Sequence, residues 1–119
     1  GDKLIFQAQG TYGQPDFLLA DETNKLILDA KYRPKYQNEK YHIEDVRQLS
    51  GYARDTKLLS KLGYISEAEQ GSAVVGCVLL YTDQKAETTL PVDLTLNKVD
   101  GFTKFYKVPV AMPVISFEK

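Results

Sequence analysis

The stretch PDFLLADETNKLILDAK, residues 15–31, decides the fold of this chain, because two apolar runs flank a cluster of turn-forming residues. Residues 15–20 and 25–32 have the composition of short strands, and the polar residues 21–24 between them suit a tight reversal. A third apolar run lies upstream, at residues 3–9. The pattern therefore predicts a meander of three strands at the start of the chain.

The register of this hairpin places charged residues side by side. With residues 21–24 as the loop, Leu18 lies opposite Ile27 and Asp16 lies opposite Asp29. Side chains alternate along a strand, so Lys31 shares the face of Asp29. We expect the two carboxylates to be direct cross-strand neighbours, with Lys31 exposed at the end of its strand.

Such a carboxylate pair needs a compensating charge. Two carboxylates about 5 Å apart repel by roughly 3 kcal/mol at an effective dielectric near 20. Mg²⁺ offsets this repulsion with oxygen ligands, here the carboxylates of Asp16 and Asp29, and Mn²⁺ is expected to substitute. Lys31 would then position the attacking water or offset charge on a phosphate. The alternative is that Lys31 merely pairs with both aspartates, and charge placement alone favours neither interpretation.

The rest of the chain predicts an α/β fold with one mixed sheet. Apolar residues recur at helical spacing from residue 43 to about residue 62, and Gly63 supplies a stop. Residues 73–81 form a nearly continuous apolar run, typical of a strand buried on both faces and paired parallel to an earlier strand. Further strands are predicted at residues 93–98 and 102–110, with the helix as the crossover element.

Length and composition bound the possibilities. The 119 residues are one domain's worth, so residues 1–119 are interpreted as a single domain, and the strand-like start suggests a fragment of a longer chain. The net charge of −1 gives no basic signature, so nucleic acid would have to bind a local patch or a metal site. No apolar stretch could span a bilayer and no secretory signal is present, which predicts a cytoplasmic protein without membrane contact. Cys77 lies in an apolar run and is interpreted as core.

Polar residues also follow one stripe of the predicted helix. Asp45, Gln48 and Tyr52 lie at positions i, i+3 and i+7, apart from the apolar stripe. Together with Pro15-Asp16 and Asp29-Ala30-Lys31, this pattern resembles the PD-(D/E)xK nuclease superfamily, some members of which carry a Gln-x-x-x-Tyr motif on this helix. Residues 15–53 most resemble the nuclease domain of McrC-type 5-methylcytosine-specific restriction subunits.

The resemblance implies a restriction-endonuclease-like core, a mixed β-sheet flanked by helix, and a magnesium-dependent endodeoxyribonuclease of a restriction system. Its catalytic residues would be Asp16, Asp29, Lys31 and Gln48, and its partners DNA and an AAA+ GTPase subunit. Many superfamily members have another acidic residue on an upstream helix. Either that ligand lies in an absent segment, or Asp16, Asp29 and the Ala30 carbonyl suffice.

A basic aromatic loop follows the proposed site. Arg33, Lys35 and Tyr36 interleave charge with rings, a composition that suits phosphate contact and base stacking, and Tyr52 is expected to join them. The alternative is a solvated loop. Two rival functions stay open: a nuclease-fold module that binds nucleic acid or a partner without cleavage, and an interaction domain with a polar hairpin. The oligomeric state is left open as well.

Overall fold

Residues 3–31, 43–82 and 94–110 are described by a computed structural model, and they form an α/β domain built on a five-stranded sheet. Within these ranges no helix combines the length and the apolar character needed to cross a membrane. The strands are β1 Lys3–Phe6, β2 Phe17–Ala20, β3 Lys25–Lys31, β4 Gly76–Thr82 and β5 Phe105–Val110, and the α-helices are α1 Ile43–Tyr52, α2 Thr56–Lys61 and α3 Glu67–Gly71.

The sheet is mixed, with its strands in chain order from β1 to β5. The first three strands pair antiparallel, which confirms the predicted meander. β4 then pairs parallel to β3, and β5 pairs parallel to β4. The predicted parallel pairing of the buried apolar run is therefore confirmed, and the three helices form the connection between β3 and β4.

The hydrophobic core lies between the helices and one face of the sheet. Its sheet side includes Leu18, Ile27 and Leu79, each at most 1% exposed, and its helix side includes Leu49 and Leu58, both fully buried. Because side chains alternate along β3, the residues after Ile27 on this face are polar. Burial of the core thus carries the charged end of β3 under α1.

Cys77 belongs to the same core, as the sequence predicted. Its side chain is 4% exposed, and burial raises the pKa of the thiol to about 12. Because only the thiolate is a good nucleophile, this cysteine is chemically inert.

The single long helix predicted from residue 43 to about residue 62 is wrong, because the chain breaks after Tyr52 and starts again at Asp55. Asp55 has extended backbone angles, and its side chain accepts hydrogen bonds from the amides of Lys57 and Leu58. It therefore begins α2. Gly63 has φ +104 and follows that helix, so the predicted stop is confirmed.

The strand predicted at residues 93–98 is also wrong. Asp93 lies outside the described residues, and Leu94–Asn97 form a short 3-10 helix followed by an isolated bridge from Lys98 to Tyr106. Leu96 is 81% exposed, so strand-like alternation does not bury this segment's apolar residues. Upstream, β1 is shorter than predicted, because Gln7 adopts φ +49 and turns the chain away.

Candidate active site

The hairpin between β2 and β3 has the predicted register. Leu18 pairs with Ile27, and Ala20 pairs with Lys25. The loop closes through a hydrogen bond from the Asp21 amide to the Asn24 carbonyl, at 2.9 Å. Phe17 pairs with Leu28. Asp16, which precedes Phe17, therefore comes level with Asp29, which follows Leu28. The charged ends of the two strands are brought together in this way.

Asp16 and Asp29 are fixed by each other's strand. The Asp16 amide donates to Asp29 Oδ1 at 3.1 Å, and the Ala30 amide donates to Asp16 Oδ2 at 2.8 Å. Asp29 is 7% exposed and Asp16 is half-buried. The predicted carboxylate pair is thus present at this end of the sheet.

Lys31 is the cation of this cluster. Its Nζ lies 2.9 Å from Asp29 Oδ2 and 3.6 Å from Asp45 Oδ1, and it donates to Gln48 Oε1 at 3.0 Å. Its side chain is only 15% exposed. The expectation of an exposed lysine at the strand end is therefore wrong, because α1 crosses above that end of β3.

The polar stripe of α1 faces the cluster as the helical spacing predicts. Asp45 is 4% exposed and contacts Lys31, as Gln48 does. Sequence analysis placed Asp45 on the stripe without giving it a role in the site. The signal was an acidic residue one helical turn before Gln48 on a face without apolar residues.

Tyr52, the last member of the stripe, lies over the turn that leads into Asp16. A Cβ atom on Gly13 would meet the Tyr52 hydroxyl oxygen at 2.9 Å, so this close approach requires glycine. Burial, followed by the negative charge of Asp29, raises the pKa of Tyr52. The ring borders the acidic pair, while its predicted contact with nucleic acid stays a prediction.

The electrostatics of Asp29 leave its charge incompletely compensated. Burial raises the pKa of this carboxyl above its ordinary value, and the hydrogen bond and charge of Lys31 only partly oppose that rise. An additional cation would stabilise the ionised form. Among the residues that the structure describes, no group of three or more histidine, cysteine, aspartate or glutamate side chains could hold a metal.

A donor set of Asp16, Asp29 and the Ala30 carbonyl still suits Mg²⁺. This ion takes hard oxygen ligands, uses one or two carboxylates, and keeps several waters. The residues present therefore fit a magnesium ion better than zinc, which prefers histidine and cysteine ligands.

An open cleft adjoins Asp16. It has a volume of about 440 Å³ and is lined by Phe6, Gln7, Asp16, Phe17 and Ala30. Sequence analysis gave no role to Phe6 or Gln7, since only the pairing of β1 with β2 brings them beside Asp16. The cleft is large enough for part of a nucleotide to approach Asp16.

A second polar cluster holds the segment between β1 and Asp16. Asp55 accepts from the Thr11 amide at 2.7 Å and from the Thr11 hydroxyl at 3.1 Å, while also capping α2. Burial tends to raise the pKa of Asp55, but the hydrogen bonds from Thr11 and Leu58 outweigh it and leave the pKa lowered. This cluster, the Asp55 clamp, anchors the turn at Gly10–Gly13.

The predicted nucleic-acid contacts Arg33, Lys35 and Tyr36 lie outside the described residues, so they stay predictions. Comparison with known proteins adds no relative to this picture. No protein-family model matches the chain, and no curated protein or solved structure matches it either. The functional argument therefore rests on the chemistry of the site itself.

Proposed function

We propose that this chain is a Mg²⁺-dependent endonuclease of the PD-(D/E)xK kind that hydrolyses DNA phosphodiester bonds. The observation that supports it is the cluster of Asp16, Asp29, Lys31 and Gln48 at one end of the sheet. We further propose a restriction-endonuclease-like fold, and a place as the nuclease part of a McrC-type restriction subunit that works with an AAA+ GTPase.

In this proposal Asp16, Asp29 and the Ala30 carbonyl hold the Mg²⁺ ion. When bound, the ion supplies charge that polarises the scissile phosphodiester and lowers the pKa of coordinated water. The hydrogen bonds from the Asp16 amide to Asp29 Oδ1 and from the Ala30 amide to Asp16 Oδ2 keep both carboxylates in place before the substrate arrives. Preorganised charge of this kind acts without reorganisation at the moment of reaction.

Lys31 positions the attacking water or offsets the charge that develops on the phosphate. Its contacts with Asp29, Asp45 and Gln48 fix the position of the ammonium group beside the carboxylate pair. Gln48 acts through Lys31, so it is a positioning residue. Asp45 has the same function, since it contacts the lysine from the helix.

Nicking of supercoiled plasmid by the purified protein tests this function. We expect relaxed and linear products with Mg²⁺ or Mn²⁺, and none after EDTA. A protein that leaves the plasmid intact at every concentration of either metal would refute the proposal. Recombinant protein with Lys31 replaced provides the control for contaminating nucleases.

The alternative is a nuclease-fold module that binds nucleic acid or a partner subunit without cutting. It is favoured by the direct ion pair of Lys31 with Asp29, which occupies one oxygen of the proposed metal ligand. A binding module would shift DNA in EDTA as well as in Mg²⁺ and would leave plasmid uncut in both.

A further inference from the structure

An exposed aromatic ring shares a cleft with Asp16, the outer member of the carboxylate pair. Phe6, the last residue of β1, pairs with Phe17 across the sheet, and the two rings pack edge to face with centroids 5.3 Å apart. Phe6 is nevertheless 64% exposed, although it is a large apolar side chain. It is therefore held in place on one side and open to a ligand on another.

The backbone ties this ring to Asp16. The Gln7 amide donates to the Asp16 carbonyl at 2.9 Å, directly after the pairing of Phe6 with Phe17. Gln7 has φ +49, a left-handed conformation that is unfavourable for a residue with a side chain. Strained residues of this type cluster at ligand sites. Here both Phe6 and Gln7 lie in the wall of the cleft that contains Asp16.

We propose that Phe6 stacks on an unpaired base of the DNA strand whose phosphate lies at Asp16 and Asp29. This inference rests on the proposed nuclease function and names its substrate class: single-stranded DNA, or duplex that is locally unpaired beside the cut. Every base has a π face, so stacking on an aromatic ring is tolerant of sequence. Bases inside a duplex are already stacked and do not offer that face.

The position of Phe6 favours a base over an apolar protein surface. Leu4 lies on the same strand and the same face and is 52% exposed. A protein partner seated on this edge of the sheet would use Leu4 and Phe6 alike. A base beside the phosphate site would contact Phe6 alone, since Phe6 lines the cleft with Asp16 and Leu4 does not.

A binding experiment with a fluorescent base tests the stacking. The probe is a single-stranded oligonucleotide that carries 2-aminopurine, whose fluorescence falls when the base stacks, with Ca²⁺ in place of Mg²⁺ to slow hydrolysis. Wild type should quench the probe, and Phe6→Ala should bind it about tenfold more weakly with little quenching. Phe6→Trp should restore both, whereas Leu4→Ala should behave like wild type.

Phe6→Leu guards against a folding defect, because it keeps apolar volume while removing the ring. We expect it to lose affinity and quenching with an unchanged circular dichroism spectrum. Equal binding by wild type, Phe6→Leu and Leu4→Ala would overturn the stacking, and so would equal losses for the Leu4 and Phe6 variants. If the protein cuts plasmid but gives either of these results, the nuclease function stands and the stacking inference is wrong. If quenching depends on Phe6 but the protein never cuts plasmid, the stacking stands and the proposed nuclease function is wrong.

Discussion

Two aspartates of this chain show what a fold does with a partly buried negative charge. Asp55 accepts hydrogen bonds from Thr11 and from the first turn of α2, and these lower its pKa although burial opposes them. Asp29 has the Asp16 amide and the Lys31 ammonium, yet burial raises its pKa. The pKa of Asp55 is therefore lowered and that of Asp29 raised, although both carboxylates have hydrogen-bond partners within the protein.

The difference separates a structural carboxylate from one that is kept for a ligand. A negative charge that the protein itself stabilises contributes to folding stability, and it gains little further stabilisation from a bound cation. A charge that the fold leaves undercompensated costs stability and gains from a bound ion. We therefore propose that the Asp55 clamp serves stability and that the carboxylate pair serves a ligand, and the predictions below test this contrast.

The largest effect expected from this contrast is on cleavage by Lys31→Ala. Loss of a preorganised charge at a reacting phosphate typically costs about 10²- to 10³-fold in rate. The matched control is Lys25→Ala, which removes a lysine from the same strand and the same face at the other end, where its Nζ donates to the Asp21 carbonyl. Plasmid nicking rates in Mg²⁺ measure both variants.

Lys31→Ala should also destabilise the protein, because Asp29 and Asp45 lose their shared cation. We expect a cost of about 2 kcal/mol, below the range for a fully buried ion pair since the side chain retains some exposure. Assays therefore run well below the melting temperature, with circular dichroism confirming the fold. Cutting at the wild-type rate by this variant would remove Lys31 from the mechanism.

The second largest effect is on stability, at the Asp55 clamp. Asp55→Ala removes the cap of α2 and both hydrogen bonds to Thr11, and we expect a loss of about 2 kcal/mol. Ser66→Ala is the control, because Ser66 caps the short exposed helix α3 and its side chain accepts from the amide of Glu69, only three residues along the chain. It should cost about 1 kcal/mol or less. Urea denaturation compares them, and equal losses would mean that the contact with Thr11 contributes nothing.

The hairpin could be predicted from the sequence because its information is local. Residues 21–24 set the loop, and the loop fixes the register that carries Asp16 to Asp29. Gln48 could be placed for the same reason, since helical spacing orients a side chain relative to its own axis. The parts of the candidate site that depend on a single hairpin or a single helix could therefore be predicted from the sequence.

The errors arose where distant segments meet. Leu58, Leu59 and Leu62 continue the apolar spacing of α1, so the break before α2 is hidden unless Asp55 is recognised as a cap held by a residue 44 positions away. The burial of Lys31 likewise depends on α1 crossing the end of β3. Neither packing contact is encoded in the local pattern.

The contrast also predicts an acid-range difference that Asp55→Asn can reveal. The pKa of Asp55 is lowered from 3.8, so its ionised form contributes stability that is present above about pH 3.8 and lost as the pH falls through the lower folded value. The asparagine can still cap the helix but cannot ionise. The stability difference between wild type and this variant should be constant near neutrality and shrink below about pH 4, as urea titrations between pH 2 and pH 6 would show. A difference that grows toward low pH would have the wrong sign.

The smallest effect, and the sharpest test of the contrast, is expected for Asp29→Asn. Since the raised pKa means that ionised Asp29 is less favourable in the folded protein than in the unfolded chain, the neutral amide should leave the metal-free protein as stable as wild type at pH 7, or more stable by up to about 1 kcal/mol. The amide oxygen can still accept the hydrogen bond from the Asp16 amide, so the hairpin keeps its geometry. Thermal melts in EDTA measure this comparison.

Metal should then separate the two proteins. Mg²⁺ or Mn²⁺ stabilises whichever protein binds it by mass action, so the melting temperature of wild type should climb with ion concentration while that of Asp29→Asn stays nearly flat. Asp45→Asn is the matched control: this buried aspartate contacts the same lysine from the helix, but it is not one of the proposed ligands, so its melting temperature should still rise with metal. If Lys31 merely neutralises Asp29, the asparagine variant loses an ion pair and is less stable than wild type in EDTA, and metal changes none of the three melts. That outcome would make the carboxylate pair a structural cluster like the Asp55 clamp, and the opposite pKa shifts of the two aspartates would no longer distinguish function from stability.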